Sequence, residues 1–362
     1  MMDDTPPLRP TGPYAIIGAI LLLLVGGFAW AAGWIGPKRL DGGDVANALE
    51  QNAGGVHAGY RRAHSKGLCL VGDFTANGAG ATLSRASIFV KGSYPVMGRF
   101  SLAGGNPLAG DGRNVFHSMA LILRTPDHQE WRTGMNHTPI FPVADPQSFV
   151  ELQRASTPDP KTGKPDPAAM KAYLAGHPET KAFQDYVKQA VLPNSFGNAT
   201  YYSINAFRFT NAAGETRFVR WQMVPEKAVA GLDKAKLDSL PRDYLFKEMV
   251  ERTAKGPSRW HLLVVVANAG DVTDKATVAW TGPHRTVDVG TLTVSKVDPE
   301  EIGNCRDVNF DPTVLPAGMG LSDDPLLAVR AKVYSTSFGR RAGETPGPSA
   351  IGQDLRNKEP MQ

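Results

Sequence analysis

Cysteine is scarce in this 362-residue chain, which has Cys69 and Cys305 and no others. Neither stands in a C-x-x-C or C-x-x-C-H pattern, which excludes a zinc ribbon, a thioredoxin-type pair and covalently attached c-type haem. The two could close one disulfide in an oxidising compartment, but nothing in the sequence brings them together, and they read as two separate buried thiols. Charge imbalance is lacking as well. A net charge of +4 with scattered basic residues gives no surface for nucleic acid. There is no internal repeat, and 42% hydrophobic against 20% charged residues describes an ordinary globular chain rather than a disordered one.

Charge is missing altogether from Tyr14 to Ile35, "YAIIGAILLLLVGGFAWAAGWI". As a helix this stretch would reach ~33 Å, enough to cross a bilayer core, and Tyr14, Trp30 and Trp34 stand towards its ends as an aromatic belt would place them. "AWA" resembles a signal-peptidase site, but the apolar run is long for a signal h-region, so the reading is an uncleaved anchor in the lipid bilayer. Arg9 before it against Lys38 and Arg39 after it leans weakly towards a cytoplasmic main domain.

The expected organisation is an N-terminal segment over 1–13, a transmembrane anchor over 14–35, a linker over 36–50, a catalytic domain over 51–342 and a disordered tail over 343–362. A short helix should follow the linker. Strand-like runs occupy 68–74, 86–90, 96–102 and 115–123, and a second set occupies 200–210, 216–224, 260–267 and 287–295, with "NAAGE" as a hairpin turn. Helical patterns cover 181–191 and the stretch "SLPRDYLFKEMVERTAKG". Eight strands in two groups of four suggest an α+β fold, an antiparallel barrel with helical insertions.

Several positions could carry chemistry. Tyr334 is the one tyrosine among nine with an arginine, Arg330, four residues before it. On a helix the two share a face, and a permanent positive charge there favours the phenolate, a ligand for ferric haem. His64, in "RRAHSKG" just ahead of the first strand, could take a proton from bound peroxide and return it, with Arg61 able to pair with a carboxylate. Arg99 and Ser101 alternate on one strand face, where the serine could hydrogen-bond an imidazole. Asn136 offers a neutral amide, and Phe141 could stack on a flat ring.

The order of these pieces changes their meaning. R-x-x-H-x-K-G, then RFS, then MN-x-TP-x-F, then "NFDPTVLPAGMGLSDDPLLAVRAKVY" resembles the haem catalase family over about 58–341, and the small catalase-related peroxidases in particular. The resemblance implies an eight-stranded antiparallel β-barrel, here preceded by one N-terminal transmembrane helix, and haem b as cofactor. It implies His64 and Asn136 as the distal pair, Ser101 bonded to the histidine, Tyr334 as iron ligand and Arg330 as the residue that keeps it ionised. Arg61, Arg99 and Arg341 fall where the family places propionate-pairing or proximal-side arginines. The paired asparagines of the family appear as Met135-Asn136, followed by His137. The long arm, wrapping segment and C-terminal domain of large catalases have no counterpart in the sequence, so oxidation of an organic electron donor is expected over fast peroxide dismutation. A homodimer is expected in place of the usual tetramer. A rearranging enzyme acting on lipid hydroperoxides and a non-catalytic haem carrier are the alternatives. Relatives with such leaders tend to be exported, so the expected location is extracytoplasmic, on the periplasmic side.

Overall fold

The computed structural model describes residues 12–31, 35, 40–113, 116–227, 231–232, 234–345, 347–349 and 351. The chain divides into two compact units, Met1–Leu40 and Asp41–Gln362. In the first, helix α1 (Gly12–Ala31) carries no charge and exposes its large side chains from Tyr14 to Trp30. It stops four residues short of the expected span at 14–35, and Ile35 sits in a bend with its N–H on the Ala29 carbonyl at 3.3 Å. Among the described residues no helix is long and apolar enough to cross a membrane, so the expected transmembrane helix finds no support there. Most of the expected segment 1–13 lies outside the described residues.

The second unit begins with α2 (Gly42–Asn52), which fills most of the expected linker over 36–50. Asp41 caps it, accepting the Asp44 N–H at 2.8 Å while the Asp44 carboxylate accepts from Asp41 at 3.2 Å. This reciprocal box satisfies donors that the first turn cannot use. There follow β1 (Gly67–Ala76), β2 (Gly92–Leu102), β3 (His117–Arg124), β4 (Glu130–Asn136), α3 (Pro146–Ala155), α4 (Pro167–Gly176) and α5 (Pro178–Gln189). The second half holds β5 (Tyr201–Tyr202), β6 (Phe207–Thr210), β7 (Thr216–Pro225), α6 (Tyr244–Lys255), β8 (Ser258–Val266), β9 (Thr286–Pro299), β10 (Met319–Leu321) and α7 (Pro325–Ala342).

The strands form a closed antiparallel ring in the order β1–β2–β3–β4–β5–β7–β8–β9 and back to β1, with β6 and β10 added outside on β7. Closure removes the free edges that would otherwise template aggregation. Eight strands make the ring, though not the eight expected. Residues 86–90 form a 3₁₀ turn over Ser87–Phe89 that buries Ile88 and Phe89. The run at 200–210 is broken at Ile204, whose φ of 66° no strand can hold. Residues 200–210 still supply β5 to the ring, and in place of 86–90 stands β4, which was not expected. "NAAGE" does close the β6–β7 hairpin, with Asn211 N–H on Glu215 O at 3.0 Å and Gly214 at φ 84°.

Strand pleating sends alternate residues inward. Leu68, Leu70, Phe100, Met119, Leu121, Trp131, Met135, Trp221, Trp260 and Leu292 share one buried core. Each such large side chain contributes about 1.5–3 kcal/mol through removal from water. The buried indoles find partners where they reach: Trp221 Nε1 donates to Thr133 Oγ1 and Trp260 Nε1 to Ala199 O, each at 3.1 Å.

One further expectation, that the cysteines are separate thiols, is corrected. Cys69 and Cys305 are joined in a disulfide, with 5.4 Å between Cα atoms across a separation of 236 residues. The reason is the β1–β9 pairing, which sets Cys69 opposite Asp298 and leaves the following turn to fold back. Gly303 makes the approach possible, since a Cβ there would come within 2.5 Å of the Cys69 Cβ. Among the described residues of the expected tail, Glu344, Pro348 and Ile351 are held: Arg62 Nη1 donates to Glu344 at 2.8 Å, Tyr60 hydroxyl donates to Pro348 O at 2.6 Å, and Ile351 is buried in the core. Residues 352–362 lie outside the described set.

Candidate active site

The outward face of β1–β4 carries the candidate residues. His64 lies in the loop before β1, at φ 54°, a left-handed conformation uncommon outside glycine. The surrounding loop is held against β2 by Ser65 N–H on Gly104 O at 3.0 Å and Leu102 N–H on Lys66 O at 3.2 Å. Lys66 itself is buried and anchored by Asp111 and Asp243, each at 2.5 Å. So held, His64 Nδ1 stands 3.2 Å from Ser101 Oγ. If Nδ1–H donates to the hydroxyl oxygen, Nε2 keeps its lone pair for a proton from substrate. Burial first, then the positive charges of Arg99, Arg330 and Arg61, push this imidazole down to about 3, so it is neutral at ordinary pH.

Asn136 ends β4 and pairs in register with Ser118 of β3. Its Oδ1 accepts the Ser118 hydroxyl at 2.6 Å, which fixes the amide orientation and leaves its NH₂ to donate. Two residues earlier on the same face, Gly134 gives α7 room. A Cβ at Gly134 would stand 3.1 Å from Arg330 Nη2 and 3.6 Å from the Tyr334 hydroxyl. Tyr334 therefore sits beside the strand that presents Asn136.

Helix α7 starts at Pro325, with Asp324 as N-cap accepting from Leu326 N–H at 2.9 Å. Arg330 lies one turn before Tyr334, its Cζ 6.0 Å from the phenol ring centre. Arg330 Nη1 donates to Asn205 Oδ1 at 2.7 Å, and Asn205 Nδ2 donates to Asp324 Oδ2 at 2.8 Å. The chain of bonds fixes the guanidinium. The Tyr334 ring packs against the outer-face cluster of Cys69, Ile122, Cys305 and Phe310. Phe141 joins a separate small cluster with Val143, Ile204 and Leu326, stacked on Phe149 at 6.2 Å between ring centres.

The three arginines differ. Arg61 Nη2 donates to the carbonyl oxygens of Cys305, Arg306 and Val308 at 3.0, 3.0 and 2.8 Å, while its buried Nε has no partner. Burial, with Arg99 and Arg341 as like charges, lowers it to about 9. Arg341, at the end of α7, is buried with Nη2 unpartnered. Arg99 is closed off: Nε and Nη2 reach the two oxygens of Glu300 at 2.7 and 3.1 Å. Burial opposes ionisation of Glu300, but Arg99, Arg61 and Arg341 outweigh it and hold the carboxyl below its ordinary value.

Two buried guanidinium nitrogens without partners are costly unless an anion meets them, so the site fits a cofactor that carries carboxylates. A phenol beside a fixed guanidinium fits a hard metal ligand at the same place. Among the described residues there is no cluster of three or more His, Cys, Asp or Glu side chains for a metal. Sequence reasoning missed Ser118, Asn205, Asp324 and Glu300. Asp324 was signalled by "DDP", an N-cap before a proline at the first helical position. The other three act through distant partners that spacing does not show.

The chain is similar to known proteins over most of its length. The Catalase family profile matches residues 57–346. A catalase-related peroxidase of Synechococcus elongatus is 39% identical over 297 residues, covering 82% of this chain and 87% of that protein. Another, from Mycolicibacterium paratuberculosis, is 31% identical, covering 85% and 97%. Among solved structures, a fungal catalase superposes with a TM-score of 0.70 at 20% identity, covering 81% of this chain. The chain spans 61% of the length of that fungal enzyme. The profile match over 57–346 and the two catalase-related relatives show that the chain belongs to the catalase family.

Proposed function

We propose that this protein is a haem b-dependent peroxidase that reduces hydrogen peroxide or organic hydroperoxides with an organic electron donor. The observation that carries this is the arrangement about the outer face of β4: His64–Ser101 and Asn136–Ser118 as a neutral proton-handling pair, and Tyr334 with Arg330 beside Gly134. The two relatives named as catalase-related peroxidases agree with it.

Bound haem would supply iron to hold the peroxide and the redox equivalents to cleave it, with Tyr334 as ligand. The residues of the chain do the rest. His64 takes a proton from the peroxide oxygen and returns it to the departing one, a role open to a neutral imidazole. Ser101 holds its ring. The Asn136 NH₂ donates to the peroxide without competing for its proton. Arg330, tethered by Asn205, places positive charge beside the phenol oxygen. The unpartnered nitrogens of Arg61 and Arg341 would meet the carboxylates of the cofactor.

Reconstituted full-length protein should oxidise a dye donor in proportion to peroxide supplied. Conversion of a lipid hydroperoxide with no donor present would point instead to a rearranging enzyme, and haem binding without turnover to a carrier.

We further propose that residues 14–35 attach the chain to a membrane with the catalytic unit on the periplasmic side. The uncharged, exposed α1 supports the attachment. The Cys69–Cys305 bond supports the sidedness, because disulfides persist in oxidising compartments. The chain should stay with membranes through alkaline carbonate washing; release into the soluble fraction contradicts the attachment.

A further inference from the structure

Strand register alone builds a row across the outer face. Ser101 of β2 stands opposite Ser118 of β3, Ser118 opposite Asn136 of β4, and Asn136 opposite Tyr202 of β5. Gln222 of β7 comes next, opposite Tyr202. Residues paired in this way share a face, with Cβ atoms about 4.5–5.5 Å apart. Tyr202 therefore flanks the Asn136 amide on the side away from Ser118. Its neighbour Tyr201 points the other way, into the barrel core, with its hydroxyl on Phe196 O at 2.8 Å. Tyr202 is half-buried and lies outside that core.

Helix α5 packs over one end of these strands. Phe183 stacks on Phe116, two residues before Ser118, with ring centres 5.3 Å apart and 6° between planes. Tyr186 lies one turn further along the helix, on the same side as Phe183, and is half-buried. Its phenol is near enough to act electrostatically on that of Tyr202. Burial first, then Tyr186, raises the Tyr202 phenol above its ordinary value, and burial raises Tyr186. Both are protonated in neutral solution, so each has a hydrogen to give. The tryptophans behind the site offer no such way out: Trp131, Trp221 and Trp260 are enclosed in the barrel, at 1%, 2% and 0% exposure. The two phenols instead run from Asn136 to a helix whose following residues, Lys188 and Gln189, are exposed.

We propose that Tyr202 and Tyr186 form a relay from the site to the surface of α5, where Tyr186 oxidises one-electron donors too large to enter. The proposal rests on the peroxidase reading above and assigns the place where the donor reacts. Tyr202 gives one electron to the cofactor that peroxide has oxidised, and its phenolic proton to water. Tyr186 then restores Tyr202 by passing it one hydrogen atom. The donor restores Tyr186 with another and leaves as a radical, one electron poorer. Each turn of the relay thus consumes one donor hydrogen and returns both phenols to their starting state.

The test gives the haem-reconstituted full chain hydrogen peroxide and two phenolic donors, free tyramine and tyramine coupled to dextran, followed by dityrosine fluorescence. The parent should oxidise both. Tyr186→Phe should lose oxidation of the dextran-bound donor and keep that of free tyramine, which is small enough to reach Tyr202. Tyr202→Phe should lose the dextran-bound donor as well. A second measurement does not depend on turnover. With no donor present, a nitrone spin trap should add to Tyr186 of the parent, located by peptide mass spectrometry, and the adduct should vanish in Tyr202→Phe. Dextran-bound tyramine oxidised at the parent rate by either variant overturns the proposal. So does a parent without the Tyr186 adduct, or an adduct that persists in Tyr202→Phe. Should Tyr202→Phe fail to fold, the Tyr186→Phe comparison decides by itself, with free tyramine reporting an intact site. A parent that oxidises free tyramine but not the dextran-bound form sinks only this inference. A parent that oxidises neither sinks the peroxidase reading itself.

Discussion

The two faces of β4 obey different rules. Inward, Trp131, Thr133 and Met135 are buried, and Trp131 meets Trp221 edge-on at 5.1 Å and Phe89 at 6.1 Å between ring centres. Outward, Gly134 and Asn136 face the helix of Tyr334 and the serine of β3. Residues one apart in sequence thus belong to a close-packed interior and to a polar site. The inner face is decided by volume, where a missing side chain leaves a cavity. The outer face is decided by partners, where a glycine is kept for closeness and an asparagine for one fixed amide. The same pleat that builds the barrel therefore builds the site, and damage to the two faces should show in different measurements.

The largest effect is expected on the outer side. His64→Ala should cut peroxide-driven dye oxidation by about 10²–10⁴, the usual worth of a positioned proton-transfer group, with the Soret band retained. Retained turnover would show that His64 is not the proton carrier. On the inner side, Trp131→Ala should cost about 3–5 kcal/mol in chemical denaturation, while turnover per bound haem stays near the parent value. A loss of turnover without loss of stability would erase the distinction between the faces.

Acid should strike both regions together. His64 is held down to about 3 and His137 to about 4, burial being the main cause in each, and buried His117, beside His137 at 4.9 Å between ring centres, is lowered too. All three ionise more readily in the unfolded chain, near the ordinary histidine value of about 6.5. Their contribution to stability is whole above that pH and is lost as the pH falls towards their folded values. The thermal midpoint should therefore decline steadily from about pH 6.5 to pH 4; a flat profile over that range would contradict neutral burial. The smallest effect belongs to Ser101→Ala. Removing one neutral hydrogen bond to His64 should lower turnover by about three- to tenfold, leaving thermal stability nearly unchanged. A fall as large as that of His64→Ala would mean the serine does more than orient the ring.

How much of this was legible in the sequence differs between the same two faces. The i, i+4 pair Arg330–Tyr334 needed only helix geometry, and Arg99–Ser101 only strand alternation. Both held, though Glu300 gave Arg99 a partner that lies 201 residues away. Strand β4 was missed because "EWRTGMN" puts a glycine and an asparagine, both turn formers, on the face that serves the site. Its inward residues Trp131, Thr133 and Met135 kept the period of two throughout. Residues 86–90 failed for the opposite reason: an apolar, β-rich run is buried there by a single turn that plugs the core with Ile88 and Phe89. The cysteines could not be paired, because only the β1–β9 register brings Cys69 to the turn that ends at Cys305. Local chemistry was readable. Closure of distant segments was not.

The most direct test of the account is the absorption spectrum of the ferric, haem-reconstituted full chain beside that of Tyr334→Phe. The account predicts a high-spin ferric spectrum with a tyrosinate charge-transfer band in the parent. Loss of that band, with weakened haem retention, is expected in the variant. An unchanged spectrum in Tyr334→Phe would mean that another residue holds the iron, and that the outer face of β4 is not arranged around this tyrosine.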